Sequence, residues 1–315
     1  MTGKTNILFI TSDQQHWSLL GLHTPGLKTP NLDRLAEQGM LFERAYCPNP
    51  TCTPTRATWI TGLYPSQHGA YTLGTKLREE VPTIGDALQS AGYDCTLIGK
   101  AHFQPLHGTA EYPSLEAYPV LQDLDFWRGF HGPFYGFNHV ELARNHTDEA
   151  HVGQHYAIWM EEKGATNWRE WFCPPTGRTP AQKHVWNIPE EYHYNAWITE
   201  RAKGRLDRYA ASQEPFFLWA SYFDPHPSYL VPEPWASMFD PESIELPDVD
   251  LDDRSAWPEL LKRVVERTGG FEAWQEAGGH AVHGLHQPSI EPEKLRKDIA
   301  IYYGMMAMLD HSIGE

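Results

Sequence analysis

The chain has 315 residues, enough for one large α/β domain or two smaller ones. It is 41% hydrophobic and 21% charged, and it has no apolar run long enough to span a bilayer. Its net charge of −16 argues against a nucleic-acid partner and against an anionic membrane surface. A small anionic ligand stays compatible with this charge, since a few local cations and a metal can override the global field.

The N-terminus and the cysteines predict a reducing compartment. The opening MTGKTNILFITSD enters a strand almost at once and has neither the apolar core nor the cleavage site of a signal peptide. We therefore expect a cytoplasmic protein. The 4 cysteines are too few for a disulfide scaffold in a chain of this length, so they are expected to be thiols: Cys47, Cys52, Cys95 and Cys173.

The first two predicted elements lie before residue 40. NILFIT (6–11) is a continuous apolar, β-branched run, which is typical of a strand buried on both faces. TPNLDRLAEQG (29–39) predicts a helix with Thr29 as its N-cap and Gly39 as its stop. The apolar face of this helix is expected to consist of Leu32, Leu35 and Ala36.

Further helices and strands follow in alternation. TPTRATWITG (53–62) predicts a helix, and PTIGDALQSAGYDCTLIGK (82–100) predicts a helix, a glycine turn and a strand. Residues 195–211 predict another helix, and EPFFLWASYFDPH (214–226) predicts an apolar strand with a polar end. This alternation favours an α/β fold with a mostly parallel central sheet and helices on both faces.

No linker or internal repeat divides the chain, so we expect a single domain over residues 1–315. Residues 105–190 are rich in aromatic, proline and glycine residues and are expected to form a long irregular insertion that walls a pocket. The proline- and acid-rich range 232–292 is expected to be a surface excursion. Its histidines in HAVHGLH lack cysteine or glutamate companions and are expected to face solvent: His280, His283 and His286.

Polar side chains follow the predicted strands. Asp13, Lys100, His102 and His226 each come just after an apolar run that predicts a buried strand. Ligands of open α/β sheets bind at the carboxyl edge of the strands, where segments distant in sequence meet. These four residues are therefore candidates for one functional site.

Cys52 lies at the predicted start of a helix, where free backbone N–H groups and the helix dipole favour negative charge. Arg56 adds a cation about one turn further on. This setting is compatible with a reactive cysteine. An inert buried thiol is the alternative that these residues alone leave open.

Four ordered blocks resemble one known family. Cys52-Thr-Pro54-Thr-Arg56 followed by Thr61-Gly62 resembles the signature of the type I sulfatases, and the surrounding TPNLDRLAEQGMLFERAYCPNPTCTPTRATWITGLYPSQHG is similar to the family's N-terminal block. NILFITSDQ resembles its opening strand and metal carboxylate, IGKAHF its Lys-x-His element, and FDPHPSY its later Pro-His element. The resemblance spans most of the chain and implies an alkaline-phosphatase-like α/β fold.

The resemblance also implies a modified nucleophile. In this family the signature cysteine is oxidised after synthesis to formylglycine, an aldehyde that hydrates to a geminal diol. Cys52 would then be a precursor, and Pro54 and Arg56 would be read by a formylglycine-generating maturation enzyme. One hydroxyl of the diol would attack the sulfur or phosphorus of a small anionic ester, and the other would expel sulfate or phosphate.

A cation site is implied at the first strand. Asp13 and Gln14 would ligate a divalent cation together with the modified Cys52, and hard oxygen ligands favour Ca²⁺, with Mg²⁺ or Mn²⁺ next. Gln14 departs from the second aspartate of many members and looks like the branch of phosphonate monoester hydrolases and phosphodiesterases, and also like some bacterial sulfatases. Sulfate ester hydrolysis is expected first, and phosphonate or phosphate ester hydrolysis second.

The remaining candidates receive roles by the same resemblance. Arg56 would steady the diol, and Lys100 would contact both the nucleophile and the ester oxygens. His102 would accept the proton of the diol, and His226 would donate a hydrogen bond to the leaving-group oxygen or the anion. A thiol enzyme that uses Cys52 directly is a weaker alternative, because it gives Pro54 and Asp13 no role.

The family normally continues beyond the position of Glu315 and supplies a second metal segment there. Asp310-His311 mimics that segment, but the apolar residues before it have helical spacing, so we expect Asp310 and His311 to be helix residues. We expect the chain to be a fragment of a longer enzyme. The sheet of this fragment, without its last strands, is expected to expose an edge. A partner chain that completes the site and a non-catalytic relative are the alternatives, and a homo-oligomer is compatible with either.

Overall fold

A computed structural model of the protein describes residues 3–105, 108, 113–144, 147, 149–172, 184–246, 255, 257–258 and 291–315. The strands are β1 (Ile7–Thr11), β2 (Asp94–Gly99), β3 (His139–Leu142), β4 (His184–Val185), β5 (Phe216–Ser221) and β6 (Leu230–Val231). The helices are α1 (Pro30–Gln38), α2 (Cys52–Thr61), α3 (Pro65–His68), α4 (Ile84–Ser90), α5 (Leu124–Gly129), α6 (Gln154–Glu162), α7 (Tyr194–Ser212) and α8 (Pro292–Gly314).

Four strands form a parallel sheet in the order β1-β5-β2-β3. The ends of these strands are level, since Ser221 of β5 is the register partner of both Thr11 of β1 and Gly99 of β2, and Gly99 is also the partner of Leu142 of β3. The residues that follow the four strands therefore lie along one edge. The predicted parallel sheet is confirmed, and β4 and β6 form a separate parallel pair.

Both faces of the sheet are covered, as predicted. Alternating residues of β5 point to opposite sides, so that Leu218 packs in one apolar cluster and Trp219 in another. The first cluster takes side chains from α6, α7 and α8, among them Trp197 and Met306. The second takes side chains from α2, α4 and α5, among them Trp127. No helix in the described part of the chain is long and apolar enough to cross a bilayer.

Strand β1 differs from its prediction. It pairs with β5 on one side, and it has no second partner strand among the described residues. Leu8 is 45% exposed, and only Thr11 of this strand is fully buried. The continuous apolar run predicted burial on both faces. Burial depends on the order of the strands, however, and β1 lies at an edge of the sheet that the described residues form.

Helix α1 forms where it was predicted, but its N-terminal cap comes from a distant residue. Thr29 makes no side-chain cap and instead donates a hydrogen bond to Asp33 (3.0 Å). The backbone N–H groups of Asn31 and Leu32 donate to the carboxylate of Asp310 on α8. Asp310 is thus a buried helix residue, as predicted, and it caps another helix.

The other end and the exposed face of α1 also differ from prediction. Gly39 follows the helix with φ −125°, so the left-handed conformation expected of a glycine stop is not used. Leu35 is 51% exposed, whereas it was expected on the apolar face. Helix α2 agrees better with its prediction, because Gly62 at its end has φ 68° and its N–H donates to the carbonyl of Thr58.

The range 105–190 is more regular than predicted. It supplies β3 to the main sheet and also contains α5 and α6, so the long insertion expected at 105–190 is not irregular throughout. The excursion predicted at 232–292 lies largely outside the described residues, and so do the histidines of HAVHGLH. Within 232–246 a short 3₁₀ turn forms at Pro241–Ser243.

Candidate active site

The candidate residues that follow separate strands lie along the carboxyl edge of the sheet. Asp13 follows β1, Lys100 and His102 follow β2, and His226 follows β5. Gly99 permits this arrangement, since it has φ 104° and a Cβ there would collide with the carbonyl of Ser221. Strands β2 and β5 therefore approach closely just where the functional residues begin.

Asp13 is 9% exposed and lies between two cations. Its carboxylate forms an ion pair with Lys100 and another with Arg56 (3.5 Å). Burial acts to raise the pKa of Asp13, but Lys100, Arg56 and His226 together outweigh it and hold that pKa well below its usual range. The carboxylate is therefore ionised at neutral pH, which is the state that a metal ligand requires.

Arg56 is fixed in place by the strands around it. It is 2% exposed although it lies on α2, and its Nη1 donates to the carbonyl of Lys100 (2.8 Å) and to Oγ of Ser221 (2.8 Å). The signature arginine is thus a buried bridge between α2 and the sheet edge. A surface arginine on a short helix would make no such contacts.

Cys52 is the first residue of α2 and is half-buried. Its sulfur, a carboxylate oxygen of Asp13 and a ring nitrogen of His226 all lie within 4.8 Å of one another. These donors are close enough to share one cation, but a sulfur is a soft ligand beside a hard carboxylate. An oxygen in place of that sulfur, as in formylglycine, would make the set fit Ca²⁺ or Mg²⁺.

His226 has a defined tautomer. Its Nδ1 lies 2.5 Å from the carbonyl oxygen of Pro227, and because a carbonyl can only accept, Nδ1 carries the proton. Burial first, and then the charge of Lys100, lower the pKa of His226 to about 4. The ring is neutral at pH 7, and Nε2 then offers a lone pair. The hydrogen-bond donor that the resemblance implied would require the protonated ring.

His102 and Gln14 both have φ 59°, an uncommon left-handed conformation for residues with side chains. The backbone N–H of His102 donates to Glu116 (2.6 Å), and burial, followed by the charge of Arg144, lowers the pKa of His102 well below its usual value. Gln14 is exposed, and its carbonyl accepts a hydrogen bond from Tyr302 (2.5 Å).

Three buried charged residues at this edge were missed by sequence reasoning. Arg144 follows β3 and is 2% exposed, and Glu116 is equally buried. Asp224 follows β5, and its carbonyl accepts from the backbone N–H of Asp13 (3.1 Å). Burial raises the pKa of Asp224 to about 7, against the opposing hydrogen bond from Tyr194. Of these three residues, only Asp224 could have been found from the sequence, since it lies inside FDPHPSY, one of the blocks that resemble the family.

A parallel sheet with charged groups at its carboxyl edge is the arrangement expected of an alkaline-phosphatase-like α/β fold. The Sulfatase family profile matches residues 5–315, and the chain belongs to this family.

Relatives and solved structures agree with this assignment. The chain is 29% identical to the multifunctional alkaline phosphatase superfamily protein PehA of Trinickia caryophylli, covering 100% of this chain and 59% of that protein. It is 27% identical to an arylsulfatase of Clostridium perfringens, covering 99% and 58%. The phosphonate monoester hydrolase structure of Agrobacterium radiobacter matches with a TM-score of 0.67 at 26% identity, covering 99% and 58%. The chain thus spans less than two thirds of the length of these proteins.

Proposed function

We propose that the protein hydrolyses sulfate esters at the group formed by Cys52, Asp13 and His226. The observation that carries this proposal is the convergence of their donor atoms within 4.8 Å, beside the buried cations Lys100 and Arg56. Membership of the Sulfatase family and the similarity to an arylsulfatase support ester hydrolysis. The active form would carry formylglycine at position 52, made by a maturation enzyme.

A divalent cation fits the proposed active form. Asp13 supplies an ionised carboxylate, and Gln14 and formylglycine at position 52 would each supply a further oxygen, a donor set that would favour Ca²⁺ over softer metals. When bound, such a cation supplies a Lewis acid that polarises the ester oxygens and favours an ionised nucleophile. Arg56 keeps the Asp13 side chain in position through its own bridge to Ser221.

The surrounding residues have complementary tasks. Lys100 is 1% exposed and would bind an anionic ester oxygen. His102 and His226 are neutral at pH 7, since burial lowers the pKa of each, so both rings can accept a proton. For a neutral His226, Nε2 would be a ligand or a base.

Mass spectrometry of the peptide that contains Cys52 tests the nucleophile. Protein from a host with the maturation enzyme should show formylglycine at position 52, and Cys52→Ala should abolish turnover of an aryl sulfate with Ca²⁺ present. Cys47→Ala is the matched control, because Cys47 is an exposed thiol in the same region. A fully active protein with an unmodified thiol at position 52 would refute the proposal.

Phosphonate monoester hydrolysis is a second candidate. Gln14 replaces an aspartate found in many sulfatases, and the phosphonate monoester hydrolase of Agrobacterium radiobacter covers 99% of the chain at 26% identity. A neutral amide leaves the site less negative than a second aspartate would, which would suit an ester anion other than a sulfate. Rates on an aryl sulfate and an aryl phosphonate, measured side by side with one enzyme preparation, decide between the two candidates.

A further inference from the structure

Arg144 has an open hydrogen-bonding edge. The residue is 2% exposed, and its Nη1 donates to the backbone carbonyl of Glu116 (3.1 Å). Its Nε and Nη2 are buried and have no hydrogen-bond partner among the residues that the structure describes. These two nitrogens form one side of the planar guanidinium, the side that binds a carboxylate or a sulfate through two parallel hydrogen bonds.

A buried charge without hydrogen-bond partners is costly, so such an edge points to a ligand. Burial lowers the pKa of Arg144 to about 10, against the opposing charges of Glu116 and Cys52, and the guanidinium remains a cation at neutral pH. The carboxylate of Glu116 already accepts from the backbone N–H groups of His102 (2.6 Å) and Gln104 (2.8 Å). The open side of Arg144 is therefore prepared for an anion from outside the chain.

Sheet order places Arg144 on the flank away from Asp13. Asp13 follows β1 at one end of the sheet, and Arg144 follows β3 at the other end, with β5 and β2 between them. The cations that act on Asp13 at neutral pH are Lys100 and Arg56. Arg144 instead lies within electrostatic range of Cys52 and His102. It therefore acts on the nucleophile position from the β3 end of the sheet, whereas Asp13 lies at the β1 end.

We propose that Arg144 is a substrate-binding residue that holds an anionic substituent on the alcohol portion of the ester. The ester head is served by Lys100 and by the groups around Asp13, whereas Arg144 follows the strand at the opposite end of the sheet from β1. The substrate class would be sulfate or phosphonate esters whose alcohol carries a carboxylate or a second sulfate close to the ester bond. This inference rests on the proposed function.

Paired substrates test this role in the full chain. Wild type should turn over a carboxylated para-nitrophenyl sulfate with about 10- to 100-fold higher kcat/KM than para-nitrophenyl sulfate, the range of a charge-assisted hydrogen bond. Arg144→Gln should abolish this preference through KM, because the carboxylated ester should lose much more of its kcat/KM than the plain ester. Arg144→Lys, which keeps the charge but not the paired edge, should restore part of the preference.

Arg128→Gln is the matched control, since Arg128 is a surface residue paired with Glu161 (2.9 Å) and should keep the preference. Equal losses on both esters in Arg144→Gln would overturn the inference, because they would place Arg144 at the ester head. Thermal unfolding checks that each variant is folded.

A binding titration separates failure of this inference from failure of the proposed function. If neither ester is hydrolysed, the proposed function fails. The role of Arg144 in anion binding is then tested separately, by the affinities of two ligands that cannot be hydrolysed, benzenesulfonate and meta-sulfobenzoate. Wild type should bind meta-sulfobenzoate about 10-fold more tightly, as expected for one charge-assisted contact, and Arg144→Gln should bind both alike. Equal affinities in wild type, or a preference that survives in Arg144→Gln, would overturn it.

Discussion

Replacing Asp310 with alanine should destabilise the protein, because this carboxylate caps α1 from a distant part of the chain. Its oxygens accept from the backbone N–H of Asn31 (3.1 and 3.2 Å), from the Asn31 side chain (3.0 Å) and from the backbone N–H of Leu32 (2.8 Å). Asp310 is 2% exposed, so water has little access to replace these bonds. The substitution leaves the donors of the first helical turn without their acceptor.

The expected cost follows from these contacts. Loss of an N-cap costs about 0.5–2 kcal/mol, and hydrogen bonds to a charged acceptor contribute about 1.5–3 kcal/mol, so Asp310→Ala should lower the free energy of unfolding by about 2–4 kcal/mol. Asp310→Asn keeps one acceptor oxygen and the side-chain shape, and it should lose about half as much. Urea unfolding followed by tryptophan fluorescence measures both effects.

The matched control is Asp207→Ala, because Asp207 is an exposed residue on α7. It should stay within about 0.5 kcal/mol of wild type, as is usual for surface substitutions. If Asp310→Ala also stayed within that range, the reasoning that this carboxylate caps α1 would be refuted. An unchanged slope of the urea transition would show that only stability, and not compactness, had changed.

Three further predictions concern buried charges and backbone geometry. Burial opposes ionisation of Glu141, but its hydrogen bonds, that from His139 foremost, hold its pKa at about 2, below the ordinary 4.5. Its contribution to the free energy of unfolding is therefore complete above pH 4.5 and is lost as pH falls through about 2. Glu141→Gln should reduce this loss of stability at acid pH, which urea unfolding at a series of pH values measures. An unchanged loss of stability in the variant would contradict the prediction. Asp13→Asn removes the carboxylate from the buried ion pair between Lys100 and Asp13 and should lower the free energy of unfolding by about 3 kcal/mol in the presence of a chelator. An unaltered free energy of unfolding would argue against this ion pair. Gly99→Ala should lower activity and the melting temperature, and a variant like wild type would show that the close approach is dispensable.

Sequence patterns predicted the elements in which local and tertiary preferences agree. The apolar run of β5 lies in the middle of the sheet, and α7 before it forms as expected. Helix α2 has both its predicted limits, with Cys52 at the start and Gly62 just beyond the end. Sequence reasoning could find three candidate site residues because each follows an apolar run that predicts a strand: Asp13, Lys100 and His226.

The missed features depend on contacts that are distant in sequence. Strand β3 is short and lies in a range rich in glycine, proline and aromatic residues, so its pattern gave no signal. Arg144 was missed for the same reason, since its burial depends on β3 joining the sheet. The cap of α1 was assigned to Thr29 because sequence rules for helix caps consider the residue just before the helix. The acceptor is instead Asp310, which is 278 positions from Leu32 in the sequence. The exposure of Leu8 follows from the order of the strands in the sheet, and the hydrophobic periodicity of a sequence does not determine that order.

The outer edge of β1 has a practical consequence for handling the protein. Its neighbour on one side is β5, and the described residues supply no strand on the other side. Such an edge is a template for strand addition, and Leu8 is 45% exposed along it. Concentrated stocks of the 315-residue chain should therefore grow turbid with storage, and Leu8→Lys should delay that turbidity without altering the catalytic groups.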